Sequence, residues 1–283
     1  MRNTAAIINI IFFVLLSSCQ KSEITTTNSE RQIIWFGIYT ADKASTVVTE
    51  FSPTIENLEK VLNTKLDKPV DIKFKVTCEY EEGINQLAIG SVHFSRLGPA
   101  SFVIAKEKNP DLNLLAMESK KGDRIFNGVI AIHKDSPLTA VAQLKGHSFA
   151  FGDPLSTIGR YLSQSLLLKE GLDSKDFSTL SYLGRHDKVG MAVAAKDFTA
   201  GALKESTFDK LVATGHPIKC LVKFDNVTKP WVAHPSLDSE IAEALKQSLL
   251  ELKSSTVSKD GFLTAEDEYY TPIRVAMQQA ENF

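Results

Sequence analysis

Cysteine, tryptophan and excess basic charge are all scarce in this chain. Of its 283 residues three are cysteine and two tryptophan, and 32 Lys and Arg are balanced against 34 Asp and Glu. Cysteines at 19, 78 and 220 are too few and too widely spaced for a disulfide framework or a metal site. Cys78 and Cys220 are therefore expected as buried free thiols. The six histidines show no paired ligand spacing, so no metal is expected, and no motif calls for a cofactor. A formal charge of −2 and a pI near 6.3 give no basic footprint for nucleic acid. A Gly-x-Ser-x-Gly elbow is also missing, which removes the usual signature of an α/β hydrolase.

Long apolar runs are absent too. The longest, AAIINIIFFVLL at 5–16, falls short of the ~20 residues that span a bilayer. With Arg2 before it and SSC after it, the run has the charged tip, apolar core and small-residue cleavage site of a leader. LSSCQ resembles a bacterial lipobox. Residues 1–18 are then a lipoprotein signal peptide and Cys19 the lipidated first residue of the mature chain. Residues 19–30 are polar, without aromatics, and suit a flexible tether. The expected location is extracytoplasmic, in the periplasm or at the cell surface, anchored through Cys19.

Beyond residue 30 the chain is periodic. Residues 33–40 are β-branched and aromatic, as in a buried strand. Residues 53–66 repeat apolar side chains at helical spacing, 70–76 alternate with period two, and 81–90 read as a short helix closed by Gly90. This βαβα order predicts a parallel sheet covered by helices. Further strands are predicted at 112–117, 129–133, 148–151, 179–183 and 220–224, and helices at 100–108, 157–169, 189–196, 237–253 and 265–280. The middle of the chain carries enough units for its own sheet. The expected organisation is one lobe of residues 31–126 plus 228–283 and a second of 127–227. Two chain crossings, near 126–129 and 228–231, join them, and a cleft between such lobes is where ligands bind.

The segment FGDPLSTIGRYLSQSLLLKEG, 151–171, places Ser156, Thr157 and Gly159 where a strand gives way to a helix. Taken alone, this is a helix cap. The same N–H groups and hydroxyls also suit a bound anion. Ile158, Tyr161, Leu162 and Leu166 are expected to anchor the helix to its own lobe.

Several segments, in order and spread over most of the mature chain, resemble the phosphate/phosphite/phosphonate-binding lipoproteins of ABC importers. They are SRLGPASFVIA (95–105), FNGVIAIHKDSPLTAVAQLKGHSFAFGDPLSTIGRYL (126–162), GRHDKVGMAVAAKDFTAGAL (184–203), TKPWVAHPSLDSEIAEALKQSLLEL and GFLTAEDEYYTPIRVAMQQ. The resemblance implies a two-lobed periplasmic-binding-protein type II fold, α/β, with two mixed sheets flanked by helices and a double-crossover hinge. It implies a small oxyanion ligand, an ABC permease and ATPase as partners, a monomer and no enzymatic activity. It makes Ser156, Thr157 and Gly159 the anion loop and His186 a ligand donor. Tyr39, Ser101 and Lys229 are further candidates at the cleft, Tyr39 reading equally as a core aromatic. Asp187 is expected to cap the helix after it.

This chain departs from the family's pattern at Ile158 for a serine, Leu97 for a tyrosine, Thr199 for an aspartate, and Lys229 for a short acidic or amide residue. Ser206, next to Glu205, stands where an amine-recognising acid would be. The changes remove negative groups and favour a more fully charged anion, or one without an amine. Two other functions share some of these features. A sensory accessory protein for a membrane histidine kinase would have the same cleft. A serine hydrolase would use Ser156, His186 and Asp187, although adjacent His and Asp do not readily form the orienting bond of a triad.

Overall fold

The computed structural model describes residues 31–40, 44–252 and 260–283. The leader, Cys19 and the tether lie outside the described residues. Strand β1 (Gln32–Tyr39) buries Ile34, Phe36 and Ile38 on one face. Helix α1 (Ala44–Leu62) covers that face with a stripe of Val47, Phe51, Ile55, Leu58 and Leu62. It begins nine residues before the predicted start and carries Pro53 inside it. The apolar stripe runs through the proline, so tertiary packing outweighs the hydrogen bond that the ring removes. Strand β2 (Val70–Thr77) and helix α2 (Tyr80–Ala88) follow. Gly90 ends α2 with a φ of 76°, as a left-handed C-terminal glycine does.

Strand β3 (Phe94–Arg96), helix α3 (Pro99–Lys108) and β4 (Asn113–Glu118) come next, then β5 (Ile125–His133) and β6 (Ser148–Phe151). A wide, π-type turn over Thr157–Leu162 leads into α4 (Ser163–Lys169). The chain continues as β7 (Thr179–Tyr182), α5 (His186–Ala194), β8 (Ala200–Lys204), α6 (Glu205–Ala213) and β9 (Ile218–Val227). It closes with β10 (Pro230–Ala233), α7 (Ser239–Glu251), β11 (Phe262–Leu263) and α8 (Thr271–Ala280).

Among the described residues the strands form two mixed sheets. One has six strands in the order β11-β4-β10-β3-β1-β2, the other five in the order β7-β6-β8-β5-β9. In the first, β1 is parallel to β2 and β3, while β10 runs antiparallel to β3 and β4. In the second, β6 is parallel to β7 and β8, and β5 is antiparallel to β8 and β9. Each sheet carries apolar clusters of its own. This is the type II two-sheet arrangement, with a double crossover.

The chain leaves the first sheet between Glu118 and Ile125, earlier than the predicted 126–129, because β5 extends four residues further back to pair with the end of β9. It returns at Thr228 and Lys229, where the Thr228 N–H donates to the Arg124 carbonyl at 2.8 Å. Strands β3, β8, β10 and β11 and helix α6 were not predicted. The terminal helix spans more than one core. Ile273 packs with the α2/α3 cluster, whereas Phe283 packs edge-on against Phe151 of the second sheet. Tyr161 and Leu162 likewise join the α2/α3 cluster, so they do not anchor their helix to the second sheet alone as expected. Cys78 is exposed and Cys220 half-buried, both free thiols; the expected burial of Cys78 fails because it lies one residue past the end of β2.

Candidate functional site

The parallel strands of both sheets end toward one cleft, where loops after strand carboxyl ends gather ligands. Tyr39 ends β1, Gly98 follows β3, Ser156 follows β6, His186 follows β7 and Lys204 ends β8. Together they line a cavity of about 80 Å³, along with Thr157, Lys229, Arg96, Glu50 and Asn226. Of the predicted site residues, Tyr39, Ser156, Thr157, His186 and Lys229 reach this cavity. Ser101 and Gly159 stand one layer behind it.

Ser156 caps its helix: its Oγ accepts from the Gly159 N–H at 3.0 Å. Gly159 is needed for packing, since a Cβ there would lie 2.8 Å from the Cα of Gly152. Thr157 does something the sequence does not suggest. Its Oγ1 accepts from the Ala100 N–H at 2.9 Å and so caps α3 from across the cleft. Helix α3 begins at Gly98, which has no side chain to cap it, and a Cβ at Gly98 would sit 2.8 Å from the Tyr39 hydroxyl. Both Ser156 and Thr157 are buried. Each hydroxyl accepts from a backbone N–H, and among the described residues neither O–H has a protein acceptor for its own hydrogen.

Tyr39 is held on both sides. Its oxygen accepts from the Gly98 N–H at 2.6 Å and its O–H donates to Ser101 Oγ at 2.7 Å. Burial pushes the phenol up to about 12, ahead of the smaller lowering by Ser101 and Gly98, so it stays neutral at physiological pH. His186 is buried at the first position of α5, its ring close to Gly152. That helix starts three residues before the prediction. Asp187 therefore lies inside its first turn, paired with the Arg185 guanidinium, and does not cap it.

The charge of the cavity is mainly positive. Among the described residues, Arg96, Lys204 and Lys229 line it against the single carboxylate of Glu50. Arg96 is fixed by a bidentate pair with Glu118, whose second bond is 3.0 Å, and lies 4.6 Å over the Phe51 ring. Burial raises the Glu118 carboxyl, but the Arg96 charge and hydrogen bond outweigh it and hold the group below the usual carboxylate range. Glu205, near the expected amine site, is bonded to Asn127 and Lys223 and is not part of the wall. A larger groove of about 470 Å³ lies between α2, α3 and the 153–155 turn. Its wall holds Glu79, Glu81 and Asp153 against Lys108, the wrong sign for an anion.

Arg96, Lys204, Glu50 and Asn226 were not singled out from the sequence. Arg96 had a readable signal, an arginine two residues before Gly98-Pro99. Asn226 had none, since the predicted strand stopped at residue 224.

The family model described as "ABC transporter, phosphonate, periplasmic substrate-binding protein" matches residues 36–271. The probable ABC transporter phosphite binding protein PhnD1 of Prochlorococcus marinus (strain MIT 9301) is 24% identical over 214 residues, 71% of this chain and 70% of that protein. The phosphate-import protein PhnD of Mycolicibacterium smegmatis is 23% identical over 252 residues, 82% of this chain and 77% of that protein. The solved structure of P. marinus PhnD1 with methylphosphonate superposes with a TM-score of 0.78 at 21% identity, covering 89% of this chain and 99% of that one. The family's members bind solutes and are not enzymes. The chain thus belongs to the extracytoplasmic substrate-binding proteins of phosphonate-type ABC importers.

Proposed function

We propose that this protein captures a small phosphorus oxyanion (phosphate, phosphite or a short alkylphosphonate) in the cleft between its sheets and presents it to an ABC permease. The reading is carried by one observation: two buried hydroxyls, Ser156 and Thr157, each accept from a backbone N–H and keep their own hydrogens for the cavity. An oxyanion is an acceptor on every oxygen. The helix N-terminus by Gly159 adds a favourable field. His186 and Lys229 contribute donors and positive charge from other walls, and Tyr39, steadied by Ser101, closes the side toward β1.

Size argues the same way. At ~10–15 Å³ per water-sized group, a cavity of about 80 Å³ holds roughly five to eight such groups. That fits phosphate or methylphosphonate. Residues 31–126 with 228–283, and 127–227, act as two lobes that close on the ligand. Cys19 carries the lipid that keeps the protein at the membrane.

Native mass spectrometry of the purified protein, followed by calorimetry with phosphate, phosphite and methylphosphonate, tests the reading. The expected result is tight binding of at least one, weakened in Ser156→Ala. Binding of none of them by the wild type would overturn it.

A further inference from the structure

Asn226 lies on β9 opposite Phe126 of β5, its register partner, and both residues line the cavity. It is 3% exposed, and its Oδ1 is buried with no hydrogen-bond partner. A buried amide oxygen without a donor is costly, and a native fold rarely keeps one without a reason. Among the described residues nothing donates to this oxygen, and the side chain borders the cavity.

The surrounding wall explains what could. Ser156 and Thr157 offer O–H groups. Arg96, Lys204 and Lys229 are cations, His186 carries a ring N–H, and Glu50 is the one carboxylate among the described lining residues. In a wall built of donors, an uncommitted carbonyl oxygen is complementary to a ligand that has a hydrogen to give. A monoprotonated phosphorus oxyanion is such a ligand: its ionised oxygens accept from the donors, and its P–OH hydrogen needs an acceptor. Sulfate and sulfonates have ionised oxygens but no such hydrogen near neutral pH.

We propose that Asn226 is a specificity-determining residue whose Oδ1 accepts the hydrogen of a P–OH group, so that the cleft prefers protonated phosphorus oxyanions over proton-free oxyanions of the same shape. The inference rests on the proposed function and adds a selection rule to it. A rotation of the amide about its last bond would present N–H to an ionised oxygen instead, with the opposite selectivity.

Calorimetry with inorganic phosphate, methylphosphonate and sulfate, on the wild type, Asn226→Leu and Asn226→Asp, decides between them. Asn226→Leu should bind phosphate about ten- to a hundredfold more weakly, with an unchanged or raised unfolding midpoint because the buried orphan is gone. Its sulfate affinity should not fall. Asn226→Asp, which keeps the shape and carries the test should the leucine variant fail to fold, should bind methylphosphonate at acid pH and lose it as the ligand gives up its last proton. Two anionic oxygens would then face each other. Phosphate, which keeps a proton in both its mono- and dianion, should lose less. Equal phosphate affinity in wild type and Asn226→Leu would overturn the role of Asn226. Equal losses toward phosphate and sulfate would overturn the proton-reading orientation. A wild type that binds neither phosphate nor methylphosphonate overturns the reading of the cleft itself, and this inference with it.

Discussion

Replacing Thr157 by alanine removes two interactions at once. Its oxygen accepts from the Ala100 N–H at 2.9 Å, and its hydrogen is left for the cavity. Without the hydroxyl, a buried N–H at the start of α3 loses its partner, which costs about 1–3 kcal/mol. Thr157→Ala should lower the ligand-free unfolding free energy by about that amount, measured by urea titration, and weaken oxyanion binding about ten- to a hundredfold. Thr157→Ser keeps the hydroxyl and should restore both. A loss of stability with intact affinity would reduce Thr157 to a cap. At this scale the sequence was partly legible. Ser156 and Thr157 stand out as hydroxyls ahead of an apolar-periodic helix, and His186 through its motif. The partner of Thr157 could not be read, because Ala100 lies 57 residues away and the bond forms only when the two sheets are side by side. Gly159 was legible as a glycine but not for its reason, the close approach of Gly152. Asn226 has an ordinary strand-end identity, and only its burial without a partner sets it apart.

Strand ends set the electrostatics of the cleft. Arg96 at the end of β3 and Glu118 at the end of β4 flank β10, and Trp231 between them donates its indole N–H to Glu118 at 3.3 Å. Removing one charge of a buried pair leaves the other uncompensated, at about 3–5 kcal/mol. Glu118→Gln should therefore destabilise strongly at pH 7 and weaken oxyanion binding by letting Arg96 move. Because the folded carboxyl is held below its ordinary value of 4.5, its contribution is complete above about that pH and disappears as pH falls through the lower folded value. Wild type and Glu118→Gln should accordingly converge in denaturant midpoint on acidification, and a constant gap down to strongly acid pH would count against the pair. Elements with a strong period, such as β2 and α2, were read within a residue or two of their ends. Strands β3, β10 and β11 were not. They are two to four residues long, too short to carry a period, and exist because neighbours in the sheet supply their hydrogen bonds. The early start of α1 was hidden by Pro53, which a local reading takes as a boundary and the core does not.

The two-sheet architecture was legible from the order of strands and helices together with the family resemblance. If the sheets carry separate lobes, a saturating ligand should lower the radius of gyration in small-angle scattering; no change would argue against closure. Anchoring is tested apart from the fold: Cys19→Ser should move the protein from the membrane to the soluble fraction, or leave an uncleaved precursor, and an unchanged membrane pellet would refute the lipid anchor. The terminal helix constrains the kind of motion. It begins beside the return crossing, where the Tyr270 hydroxyl donates to the Thr228 carbonyl, and three residues past its end Phe283 packs against Phe151. The ten-residue helix between them is ~15 Å long. Two crossings that touch at Thr228 and Arg124 would act as a swivel, free to twist as well as bend. A third attachment a helix length away leaves one easy rotation, about the line that joins it to the crossings. If the sheets move as lobes about such a joint, one closed pose is open to them, and the ligand's binding energy selects that pose alone.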